Sequence, residues 1–85
     1  MDFEVMTQDE LSLVRSREIE RALREGLRNT VHNIERLEKL SPNSAQLIRR
    51  LMQERERLQL RLEKQRRVVV QLAAKIRRGG GRTHG

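Results

Sequence analysis

The sequence predicts an all-α protein: an antiparallel two-helix hairpin that dimerises into a four-helix bundle. Three observations predict it. The chain of 85 residues has a single Pro, Pro42, inside the only internal run of turn-forming residues, Leu40-Ser41-Pro42-Asn43-Ser44. On each side of that run, apolar residues recur at intervals of three and four, the period of one helix face. The two flanking segments have similar lengths, and so short a connection turns the second helix back along the first.

A lead-in over residues 1–7 precedes helix one, expected over 8–40. Thr7-Gln8-Asp9-Glu10 has the form of a capping box, in which the Thr7 hydroxyl accepts from the Glu10 amide and the Glu10 carboxylate accepts from the Thr7 amide. Met6 and Leu11 fall at the two positions of a hydrophobic staple. Leu13, Leu23, Leu27, Thr30, Ile34 and Leu37 mark the stripe, with Ile19, Val31 and Leu40 beside it. Gly26 interrupts good helix formers at a cost of about 1 kcal/mol, either as a tolerated defect or, together with Ala22, as a place where another helix comes close.

The turn is expected at 41–43 and helix two over 44–78, with Ser41 or Ser44 as its cap and Pro42 suited to its first turn. Ile48, Leu51, Leu58, Leu62, Val69, Leu72 and Ile76 occupy heptad core positions, interrupted by Arg55 and Gln65. These two are either buried setters of register or places where the seam opens to solvent, and the second is favoured because a long Arg stem can lie along apolar surface with its charge in water. Arg77 and Arg78 suit the negative end of the helix dipole, and Gly79-Gly80-Gly81 is expected to end the helix and begin a flexible Gly-rich tail over 79–85. Val14, Leu47, Met52, Leu60, Val68 and Val70 lie off the seam, where a lone hairpin cannot bury them; this predicts the homodimer.

Composition excludes most other classes. Hydrophobic residues make up 35% of the chain, Phe3 is the only aromatic, and there is no Cys. A core or pocket built on large side chains is absent, so an enzyme with a small-molecule substrate is not expected. No disulfide, thiolate metal site or Cys nucleophile is possible, and two His do not make a metal site; no cofactor is expected. The longest apolar run is Val68-Val69-Val70, far short of a bilayer span. The N-terminal MDFEVM carries acids where a signal peptide carries Lys or Arg, so a soluble, cytoplasmic chain is the expectation.

Charge is distributed unevenly. The net +7 resolves into −2 from Asp2 and Glu4, zero over 8–40, +8 over 43–78 and +1 from Arg82. At about 100° per residue, Arg49, Arg50, Arg57, Arg61, Lys64, Arg67, Lys75 and Arg78 share the arc opposite the seam, and Glu54, Glu56 and Glu63 flank that arc. A solvated face ordinarily mixes signs and gains from i, i+4 pairs, as Glu35 and Lys39 do; helix two accepts self-repulsion, the pattern of a surface that meets an anion. Single-strand readers stack bases on aromatic platforms, which this chain lacks. Major-groove readers concentrate their contacts at one short helix, whereas these cations span the whole of helix two. Arg50 and Arg61 are eleven residues apart, as are Lys64 and Lys75, giving about 16 Å along nearly one side. Duplex nucleic acid held by its phosphates and shape is the expected partner, double-stranded RNA before DNA.

A small, aromatic-poor, Arg-rich hairpin with the turn Ser41-Pro42-Asn43, the pair Arg49-Arg50 early in helix two and Arg61 further on resembles the nodavirus RNA-silencing suppressors. The resemblance implies protomers paired as an antiparallel four-helix bundle, with the second helices laid along double-stranded RNA in the host cytoplasm. There they would shield it from Dicer-type cleavage and from loading into silencing complexes. The basic residue that the family pattern places one heptad past Arg61 is Val68 here, with Arg66 and Arg67 beside it. A different class of function is the alternative: an adaptor hairpin, like a small co-chaperone, whose spare apolar positions dock another protein's helix. A helix lying on a membrane surface fits less well, because a heptad seam asks for a helical partner.

Overall fold

The computed structural model describes the backbone of residues 6–83 and the side chains through Gly79. It is an all-α hairpin of two long helices, α1 (Gln8–Leu40) and α2 (Ala45–Thr83), packed against each other along their length. The α1 N-terminus closes as its sequence dictates. The Glu10 amide donates to the Thr7 hydroxyl at 3.1 Å and the Thr7 amide donates to Glu10 Oε1 at 3.0 Å, satisfying two of the amides a helix start leaves open. Met6 and Leu11 hold the staple positions and both stay exposed.

The Ser41 amide donates to the Leu37 carbonyl at 2.8 Å and ends α1. The Ser44 amide then donates to the Ser41 carbonyl at 3.0 Å, which closes a four-residue turn with Pro42 at its second position, where a fixed φ is favoured. Pro42 therefore belongs to the turn and not to the first turn of α2. Ser44 precedes α2, and its carbonyl accepts the Ile48 amide at 3.0 Å.

The C-terminus of α2 differs from the sequence expectation. The helix runs on to Thr83, through the glycines expected to end it, and no described glycine takes the positive φ of a helix stop. Each glycine still costs about 1 kcal/mol relative to a good helix former, so this last stretch is the least favoured part of α2. The flexible tail assigned to 79–85 is thus helical as far as Thr83, and the rest of it lies outside the described residues, as do Asp2 and Glu4 of the lead-in.

The core is one seam wide. Leu23, Ile34 and Leu62 are buried, joined by Thr30, whose hydroxyl donates to the Gly26 carbonyl at 2.9 Å. Leu27, Leu37, Ile48, Leu51, Leu58, Val69, Leu72 and Ile76 line the same seam half-buried, while Ile19 and Leu40 are exposed. Gln65 corrects the expectation of an open seam: its Nε2 donates to the Ser16 carbonyl at 2.8 Å, a bond between the two helices that fixes their register.

The shape is a slab of 64 × 27 × 14 Å with a radius of gyration of 19.1 Å, against about 12 Å for a compact domain of this length. Its accessible surface is 7419 Å², where scaling for a compact monomer of this mass gives about 5,300 Å². The hairpin exposes roughly 2,000 Å² more than a globule would, and Val14, Leu47, Met52, Leu60, Val68 and Val70 are all on that surface.

Candidate nucleic-acid interface

The outer face of α2 is the candidate site. Packing of Leu51, Leu58, Leu62 and Val69 against α1 fixes the rotation of α2 and turns the opposite arc to solvent. Arg49, Arg50, Arg57, Arg61, Lys64, Arg67, Lys75 and Arg78 are all exposed there. From Arg49 to Arg78 the row extends about 44 Å along the axis.

Two of the eight are engaged by carboxylates. Arg57 Nη1 lies 3.4 Å from Glu54 Oε2 within α2. Lys75 Nζ lies 3.4 Å from Asp9 Oδ1, so the first turn of α1 reaches across to the far part of α2. Both pairs are well exposed to solvent and contribute little to stability. Their importance is to the field: Lys75 and Arg57 present a partly neutralised charge, while Arg49, Arg50, Arg61, Lys64, Arg67 and Arg78 form no ion pair among the described residues. The free positive potential therefore concentrates at the turn-proximal third and the middle of α2.

The zero net charge of α1 conceals a second basic row. Arg17, Arg21, Arg24 and Arg28 follow a spacing of four, three and four on α1 and are exposed. Arg17, Arg21 and Arg24 border a shallow depression beside Val69 of α2. Acids accompany this row, with Arg24 bonded to Glu20 and Glu25 set among Arg21, Arg24 and Arg28. A face-by-face count of α1 finds the row, and the intervening acids distinguish it from the α2 stripe.

The most apolar concave feature beside the turn is a groove of about 380 Å³, lined by Leu37 and Leu40 of α1 and Leu47 and Leu51 of α2, with Asn33 and Arg36 at its edge. Among the described residues no group of His, Cys, Asp or Glu is arranged to hold a metal ion. No described helix is long and apolar enough to cross a membrane. Comparison with protein-family models, curated proteins and solved structures finds no match for this chain.

Proposed function

We propose that the protein is a homodimer that binds double-stranded RNA without sequence preference, laying the basic faces of its α2 helices along the duplex. The observation that carries this reading is the row of exposed cations on α2, free of acids in its own arc, on a chain whose only aromatic is Phe3. Phosphates attract such a row over its whole length, and the lack of stacking platforms disfavours single strands. An α-helix does not enter the deep major groove of A-form RNA, so the contact is superficial, to phosphates and 2′-hydroxyls, and independent of sequence. The activity is occlusion and involves no bond-making step. A duplex so covered is withheld from nucleases and from silencing complexes, which is the action of a viral suppressor of RNA silencing.

Gel-shift titration with an RNA duplex of about 25 base pairs, the matching DNA duplex and single-stranded RNA, at two salt concentrations, tests the reading. Preference for the RNA duplex and a steep loss of affinity with salt are expected, with a slope that grows by nearly one for each phosphate neutralised. Replacing Lys64 and Arg67 by Ala is expected to weaken every duplex sequence alike and to leave the sedimentation behaviour unchanged. Binding to none of the three nucleic acids overturns the reading. It leaves the adaptor alternative, which the leucine-lined groove beside the turn supports.

A further inference from the structure

We infer that the face bearing the leucine groove is self-complementary, and that a second copy, antiparallel to the first, seats its Leu11 in that groove. The inference rests on the dimer in the preceding proposal and adds the face and the register. Leu11, Ala22 and Asn33 are successive steps of eleven residues, three helical turns plus about 20°, so they run down one side of α1. Asn33 borders the groove, which therefore lies on the same side as Leu11, itself 41% exposed. Gly26 is on this side too. A methyl group at that position would meet nothing nearer than Leu58 Cδ1 of α2 at 3.9 Å, so the hairpin itself does not require a glycine there.

The residues along this side pair with themselves when the helix is reversed. A two-fold axis crossing α1 at position 24 sets Leu11 opposite Leu37 of a second copy, Arg15 opposite Asn33, and Ala22 opposite Gly26. On α2 the same edge continues from Leu47, which lines the groove, in heptad steps to Glu54, Arg61 and Val68. Reversed about a point between 57 and 58, this row sets Leu47 opposite Val68 and Glu54 opposite Arg61. The two centres stand at one height, because the Gln65 to Ser16 bond aligns 65 with 16, and eight residues back from 65 is 57 while eight on from 16 is 24. One two-fold axis thus satisfies both helices.

Area favours a second copy as the occupant. Two protomers together carry about 4,000 Å² of surface beyond the compact expectation, in the range that obligate homodimer interfaces bury. The antiparallel axis places α2 beside α2, which would set like charges together, and the two Glu54–Arg61 exchanges offset that repulsion. The alternative two-fold, with both turns at one end, places α2 over α1 and separates the two basic rows.

The chain has no Cys, so the variant Gln8→Cys with Leu40→Cys carries the only thiols. The two positions are about 48 Å apart along α1, too far for a short bismaleimide to join within one chain, and the axis sets each opposite the other in a second copy. The expected result is a covalent dimer whose cross-linked peptide joins 8 to 40, with neither single variant cross-linking. Links joining 8 to 8 or 40 to 40, or no link from a chain that sediments as a dimer, overturn the proposed face. A folded monomer at micromolar concentration overturns the dimer itself. As a second measurement, Glu54→Arg and Arg61→Glu are each expected to weaken dimerisation about tenfold, and their combination to restore it; failure of the combination to restore it overturns the register.

Discussion

The two helices of this hairpin reach the same secondary structure by different means. In α1 the local signals agree: a capping box, Asp9 and Glu10 in the first turn where the helix dipole favours them, Lys39 in the last turn, and equal numbers of acids and bases. In α2 the seam is a cleaner heptad, but the first turn holds no acid, Arg49 and Arg50 follow soon after, and the outer face repels itself. Of the two, α1 is organised as a support that would come closest to standing alone, while α2 gives up favourable electrostatics along its length and depends on its packing against α1; the anionic partner proposed above would offset its self-repulsion. Charge that weakens the fold and faces solvent is the physical signature on which the duplex-binding proposal rests.

The largest expected effect comes from breaking the seam they share. Ile34 and Leu62 are the most buried large side chains of α1 and α2, at 3% and 5% exposure. Truncating either to Ala is expected to cost about 2–4 kcal/mol. In so thin a core that is enough to unfold the hairpin near physiological temperature, which circular dichroism melting would show. If Leu62→Ala were tolerated while Ile34→Ala was not, α2 would not depend on the seam as its electrostatics require. Next in size is the α1 cap. Thr7→Ala removes one half of a reciprocal pair and is expected to cost about 1 kcal/mol, while Ser44→Ala at the start of α2 should cost less, because no side chain there closes a capping box.

How much of this is written in the sequence follows from which interactions are local. The capping box, both stripes and the exposure of the eight cations depend on spacing within one helix, and the turn at 41–43 on its own run of turn formers, so all are legible before any fold is known, whereas Pro42 reads as suited to the first turn of α2 and lies in the turn itself. Gln65 is not. Its spacing marks a polar gap in the seam, but whether it meets water or the Ser16 carbonyl depends on the relative height of the two helices, which neither periodicity contains. The same holds for Lys75, which a wheel assigns to the basic arc and which only the hairpin brings to Asp9. The glycines at 79–81 read as a stop because intrinsic preference is all a sequence offers there, and α2 nonetheless continues to Thr83. Gln65→Ala therefore tests information that the tertiary structure adds. Removal of this bond should cost about 1 kcal/mol, and if the melting temperature is unmoved the bond does not hold the register.

The smallest expected change in stability is also the most informative about the division of labour between the helices. Asp9 serves two partners: it sits in the first turn of α1, where a carboxylate favours the dipole, and it lies 3.4 Å from Lys75 of α2. Both groups are more than a third exposed, at 40% and 62%, so the pair is screened and Asp9→Asn should change stability by no more than a few tenths of a kcal/mol. Binding should respond in the opposite sense. With its carboxylate gone, Lys75 joins the unpaired cations of the stripe, and the salt dependence of duplex binding should steepen by up to about one phosphate's worth, with higher affinity at low salt. Lys75→Ala in the same background should then return the slope to that of the unaltered chain. If Asp9→Asn leaves the slope unchanged while Lys64→Ala with Arg67→Ala reduces it, the duplex ends short of Lys75, and the binding face is the turn-proximal two-thirds of α2.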